Sequence, residues 1–194
     1  MTKIARNSLL SLEEYAKKRT DIRTEAMRLK KIRSVFVGPN MTLQFESEAT
    51  IRYQIQEMLR IEKTFEEDGI QDELEAYNPL VPDGTNLKCT QMIEFPDEDE
   101  RRVRLAELVG VEDRTYIQVQ GHDRVYAIAD EDLDRSTATK TSSVHFSRFE
   151  FTADMIKAIK SGAPIAMGVD HPKYTYRVDE IDPETQGALT KDFA

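Results

Sequence analysis

A chain of 194 residues with 39% hydrophobic and 32% charged residues can bury a sizeable core; it is too apolar for a disordered polypeptide and too polar for a membrane protein. The formal net charge is −9, yet residues 1–33 carry ten Lys and Arg against four Asp and Glu, so a basic N-terminal segment precedes an acidic body. Cys89 is the only cysteine, which excludes an internal disulfide and a cysteine-built zinc or iron–sulfur centre.

Ser11-Leu12-Glu13-Glu14 fits a capping box, flanked by Leu10 and Tyr15 as a hydrophobic staple, so a helix starts at Leu12. In a second helical stretch Ile22, Ala26, Leu29 and Ile32 recur at helical spacing, leaving Arg23, Arg28, Lys30, Lys31 and Arg33 to solvate the other faces. Such a basic segment can dock on its own acidic body, on an acidic partner or on nucleic acid. Val35-Phe36-Val37 and residues 41–45 flank Gly38-Pro39-Asn40 and predict a hairpin with Leu43 and Phe45 inward. From Glu48 to about Lys63, Ile51, Ile55, Met58 and Leu59 form a helical stripe that Glu62 shares, whereas Tyr53 and Glu57 fall on another face and are expected in solvent.

Residues 69–77 predict another helix, and residues 78–86, with Pro79, Pro82 and Gly84, a rigid turn. Residues 87–95 read as a strand, followed by a helix capped by Asp97 with Glu100. Residues 116–119 and 125–128 predict a hairpin across Gln120-Gly121-His122-Asp123. Residues 142–151 form a long alternating strand, Thr152 caps a helix ending near Gly162, and residues 165–169 and 174–178 complete the sheet. Asp182-Pro183 starts a last short helix. Several strand connections are too short for parallel crossovers. The expected fold is therefore α+β, a mostly antiparallel curved sheet with helices packed against it, in one domain over residues 1–194 with a basic helical segment at about 11–33.

Residues 163–169, the longest apolar stretch, are broken by Pro164 and Gly168 and fall far short of the roughly 20 residues of a spanning helix. Glu13 and Glu14 interrupt the N-terminus before any apolar run suited to export, so a cytoplasmic protein is expected. The chain contains no Gly-rich phosphate loop, dinucleotide fingerprint, Gly-x-Ser-x-Gly elbow or His-Glu-x-x-His helix. Asp130-Glu131-Asp132-Leu133-Asp134 imitates the opening of a calcium loop, but Arg135 stands where the loop needs Gly and Thr141 where it needs a bidentate Glu. That segment reads as an acidic helix start or turn.

The strongest polar constellation is residues 144–151. Strand alternation puts His145, Ser147, Phe149 and Phe151 on one face and Val144, Phe146, Arg148 and Glu150 on the other. Ionisable groups thus sit beside large apolar neighbours, which is costly unless they are paired. In a functional reading His145 and Glu150 supply acid–base chemistry or a metal ligand and Arg148 clamps an anion. In a structural reading Arg148 and Glu150 form an ion pair and His145 is a hydrogen-bonded core residue. On its apolar helix stripe Glu62 either finds a partner, such as Arg148, a backbone amide or a metal, or escapes to solvent as a helix-end glutamate. Asp83 and Asn86, on the Pro-rich loop, are either binding groups or turn formers. His122 and His171 are weaker candidates, and a metal centre would need long-range assembly. Metal and cofactor stay unassigned.

Residues 51–60 (Ile-Arg-Tyr-Gln-Ile-Gln-Glu-Met-Leu-Arg), 78–84 (Asn-Pro-Leu-Val-Pro-Asp-Gly), 127–133, 144–150 and 168–172 together resemble a bacterial family known as domain of unknown function 3501. The resemblance spans nearly the whole chain. It implies a bacterial protein of about this size and brings no established reaction, cofactor or catalytic residue. Genes of similar proteins are often found near rubrerythrin-like and iron–sulfur oxidoreductase genes, which implies a link to redox metabolism. Two expectations follow. The first is a binding or accessory protein of a redox system, with a redox-protein partner. The second is an enzyme acting on a small anionic substrate, in one version metal-dependent, with Arg148, Asp83 and Asn86 binding it and His145, Glu150 and Glu62 acting on it. Nucleic-acid binding is disfavoured by the acidic body, and a homo-oligomer is compatible with the sequence.

Overall fold

The structure, a computed structural model, describes residues 3–194. Helix α1 (Leu12–Ile32) begins at the Ser11 capping box and joins both predicted N-terminal stretches into one continuous helix. Strands β1 (Ser34–Phe36) and β2 (Met41–Phe45) form the expected hairpin. Gly38 in its turn has φ +74°, and a Cβ there would lie 2.6 Å from the Tyr176 ring, so the position requires glycine. Helix α2 (Glu48–Glu62) is capped by Ser47 and ends on Lys63 in the left-handed region; α3 (Glu67–Tyr77) runs into a 3₁₀ turn at Asn78–Leu80. Then come β3 (Asn86–Ile93), α4 (Glu98–Glu107), β4 (Thr115–Val119), β5 (Arg124–Tyr126), β6 (Ile128–Ala129), β7 (Val144–Glu150), α5 (Ala153–Lys160), β8 (Ile165–His171), β9 (Tyr174–Val178) and α6 (Pro183–Thr190).

The class is α+β and every strand pair is antiparallel. The strands divide between two sheets, ordered β1-β2-β3-β7-β6 and β5-β4-β8-β9. Leu43, Leu87, Phe149 and Ile93 from the first share one apolar core with Ile117, Ile165 and Met167 from the second and with Ile159 and Leu189 from α5 and α6. A smaller cluster joins Ile4 and Leu9 to Ile51, Ile55 and Leu59 of α2, Ile70 and Leu74 of α3, and Val81.

Two expectations are corrected. Residues 125–128 are not one strand: β5 pairs with β4, and after Ala127, whose amide still bonds the Thr115 carbonyl, the chain leaves for the other sheet, where β6 pairs with β7. Tyr53 and Glu57 are buried rather than solvated, because α1 covers that face of α2. Tyr15 Oη donates to Glu57 Oε1 at 2.7 Å, and Arg19 binds the same carboxylate with Nε at 2.7 Å and Nη2 at 2.8 Å. Among the described residues no helix is long and apolar enough to cross a membrane.

Candidate functional site

Strand β7 alternates as its sequence requires. His145, Ser147 and Phe149 are buried toward the core, and Arg148 and Glu150 are half-exposed on the opposite face. Antiparallel pairing sets Asn86 beside Glu150 and Lys88 beside Arg148 from β3, and Ile128 beside Arg148 from β6. The polar groups on this face form one chain of hydrogen bonds. Asn86 Nδ2 donates to Asp83 Oδ2 at 2.8 Å and to Glu150 Oε1 at 2.9 Å. Arg148 Nη1 donates to Glu150 Oε1 at 2.5 Å, while its Nε and Nη2 grip the two oxygens of Glu131 at 2.5 and 3.0 Å.

The electrostatics follow from those contacts. The Arg148 guanidinium holds the Glu131 carboxyl below the usual range and is itself pushed up by Glu131 first and Glu150 second. Partial burial works against the charged form of Asp83, but the Thr85 amide and hydroxyl and the Asn86 amide outweigh it and keep this carboxyl low.

Beside Arg148 lies a groove of about 480 Å³, walled by Tyr77, Pro79 and Leu80 on one side and by Ile128 and Phe146 on the other. Its charged rim is Lys88, Arg148, Glu131 and Asp132. Lys88 Nζ donates to the Pro79 carbonyl at 2.5 Å, tying the cation to the wall. The volume falls in the range of small-ligand or side-chain pockets, and the lining has their usual makeup of apolar walls with a few polar groups.

On the core face His145 is fully buried. Its Nδ1 lies 2.6 Å from Asp130 Oδ2, and Nε2 lies 3.0 Å from Thr141 Oγ1 and 3.1 Å from the Ser142 carbonyl. Glu112 accepts from Thr141 Oγ1 at 3.1 Å and from Ser136. Gln91 lies opposite His145 in the ladder, fully buried, with neither amide atom partnered among the described residues.

The structure therefore brings Arg148, Glu150, Asp83 and Asn86 into one network and puts His145 through the sheet from them. Glu62 is exposed at the last residue of α2 and does not line the groove. Among the described residues no group of three or more His, Cys, Asp or Glu side chains is placed to hold a metal ion. Burial pushes the Cys89 thiol up, away from a reactive thiolate. Sequence reasoning missed Lys88, Glu131 and Gln91 as site residues. Alternation along 87–93 would have put Lys88 outward and Gln91 among core residues; Glu131 comes from a loop whose path no local pattern encodes.

These features define an α+β protein with a core shared by two antiparallel sheets and an apolar groove, edged by charges of both signs, on the outer face of one. The chain belongs to the bacterial family described as protein of unknown function (DUF3501), whose model matches residues 3–193. A crystal structure of a novel protein of unknown function from Burkholderia pseudomallei K96243 is similar throughout, with 52% identity, 100% of each chain covered and a TM-score of 0.94. No curated protein matches the chain.

Proposed function

We propose that this is a binding or accessory protein that engages its partner through the groove beside Arg148. The observation that carries the reading is the separation of chemistries by the β3–β7 ladder: the groove offers apolar walls and a paired guanidinium, while the His145 ring is buried on the other face. Arg148, bound by two carboxylates, is arranged to recognise charge rather than to move protons. The family resemblance supplies the setting, a redox system with a rubrerythrin-like or iron–sulfur oxidoreductase component. A cytoplasmic location accords with a single, buried cysteine.

The test is co-purification of the full chain from native extract, beside the Ala76→Trp variant, which fills the groove from an exposed position on α3. An oxidoreductase component that accompanies the unmodified chain and is lost with Ala76→Trp supports the reading. Recovery of the chain alone across mild salt conditions overturns it.

A further inference from the structure

The rim of the groove carries a segment with the makeup of a ligand. Glu131 takes the Nε–Nη2 edge of Arg148, the edge that receives a carboxylate side-on with two parallel bonds. Glu150 holds Nη1 separately. Departure of Glu131 would leave Arg148 paired and open its bidentate edge, next to Lys88, toward the apolar walls.

Glu131 is also placed to depart. Its side chain is 54% exposed, that of Asp132 is 61% exposed, and Leu133 projects into solvent at 64%. The preceding residue is anchored instead. Asp130 donates its amide to the Phe146 carbonyl at 2.8 Å, accepts the Phe146 amide on Oδ1 at 3.0 Å, and meets His145 through Oδ2. Asp130 has φ +52°, so the chain turns sharply between an anchored residue and an exposed strap. Arg135 lies over the Phe146 ring at 4.6 Å and binds Asp130 and Asp132, so the residues on either side of Glu131 are tied while, among the described residues, its own side chain is held by Arg148 alone.

Resting on the binding reading above, we infer that the groove recognises an acidic–apolar peptide segment of a partner protein, and that Glu131 occupies the position of the partner's carboxylate in the free protein. Charge complementarity selects the occupant. A carboxylate meets Arg148 and Lys88, and a neighbouring aliphatic side chain meets Tyr77, Leu80 and Phe146. This chain's own Glu131-Asp132-Leu133 has that composition. An incoming carboxylate replaces Glu131 bond for bond, so no buried charge is stranded during the exchange. The internal competitor lowers apparent affinity by the fraction of molecules in which it is engaged.

The probe is a blocked synthetic peptide, Ala-Asp-Glu-Asp-Leu-Asp, titrated calorimetrically into the full chain at ~0.15 M salt so that exposed-charge attraction is screened. Glu131→Ala should bind it about tenfold more tightly than the unmodified chain, and Arg148→Met and Ala76→Trp should abolish binding. Circular dichroism checks each fold, and the exposed site of Ala76→Trp keeps the test valid if Arg148→Met fails to fold. Equal affinity with and without Glu131, binding that survives Ala76→Trp, saturable binding of octanoate but not of the peptide, or no binding to either form overturns the inference. If the peptide fails while an oxidoreductase still co-purifies in a manner blocked by Ala76→Trp, the ligand chemistry alone is wrong; if that co-purification fails too, so does the binding reading.

Discussion

Replacing Glu57 by Gln tests how the basic helix is held to the body. The Glu57 side chain is 12% exposed and accepts from Tyr15, Arg19 and, at 3.3 Å, Arg60. The Arg19 guanidinium dominates, and the carboxyl is brought from 4.5 down to about 2 despite its burial. At about 1.4 kcal/mol per pH unit this pairing amounts to ~3 kcal/mol at neutral pH. Arg19 is 35% exposed, and solvent screening reduces the expected cost of Glu57→Gln to about 2 kcal/mol. The sign is fixed by a folded-state value below the unfolded one: the contribution is complete above about pH 4.5 and is lost as pH falls through about 2. Urea unfolding followed by circular dichroism should show a gap near 2 kcal/mol between the two proteins at about pH 7, closing steadily below about pH 4.5. A gap under about 0.5 kcal/mol at neutral pH, or one constant down to about pH 2.5, refutes the account.

Two further outcomes are expected. Arg33, buried at 3%, pairs with Asp192 and donates to the carbonyls of Phe45, Glu46 and Ala188 at 3.0, 2.8 and 2.9 Å. Asp192→Ala strands that guanidinium and should cost ~3 kcal/mol, lowering Tm by about 6–12 °C in scanning calorimetry; a fall under about 2 °C contradicts it. Cys89 should stay unreactive to Ellman's reagent in native buffer and react at once in denaturant, and prompt native labelling would contradict its burial.

Local signals carried most of the elements. Ser11, Asp97, Thr152 and Asp182 all cap the helices their positions predict. Alternation sorted residues 144–151 correctly, because one face of β7 is buried and a one-residue slip would invert it. Legibility failed where a long-range contact decides. Glu57 reads as a surface glutamate until α1 is laid over it, and Tyr15 and Arg19, which pair with it, lie 42 and 38 residues away. The division into two sheets was equally hidden, since residues 125–128 have a strand composition throughout and the chain changes sheet only through its long-range partners, β4 before Ala127 and β7 after it. Of the candidate site, the alternation of β7 gave Arg148 and Glu150 to sequence reasoning and the Pro-rich turn gave Asp83 and Asn86, whereas the opposing carboxylate of Glu131 depends on that change of sheet.

The change of sheet also explains why the groove is there. A strand continuing past Ala129 would pair with both backbone groups of Phe146, and the Asp130 amide does take the carbonyl, but no backbone carbonyl among the described residues takes the amide. Instead the Asp130 side chain accepts the Phe146 amide, taking the bond that a further residue of β6 would have supplied, and the strand stops after two residues. His145 holds Asp130 in that position from the core face, with Thr141 and the Ser142 carbonyl on its other nitrogen. The buried cluster and the groove are thus two sides of one device. His145 fixes Asp130, Asp130 ends β6, and the next residue, Glu131, turns over the outer face of β7 and covers Arg148 until another carboxylate takes its place.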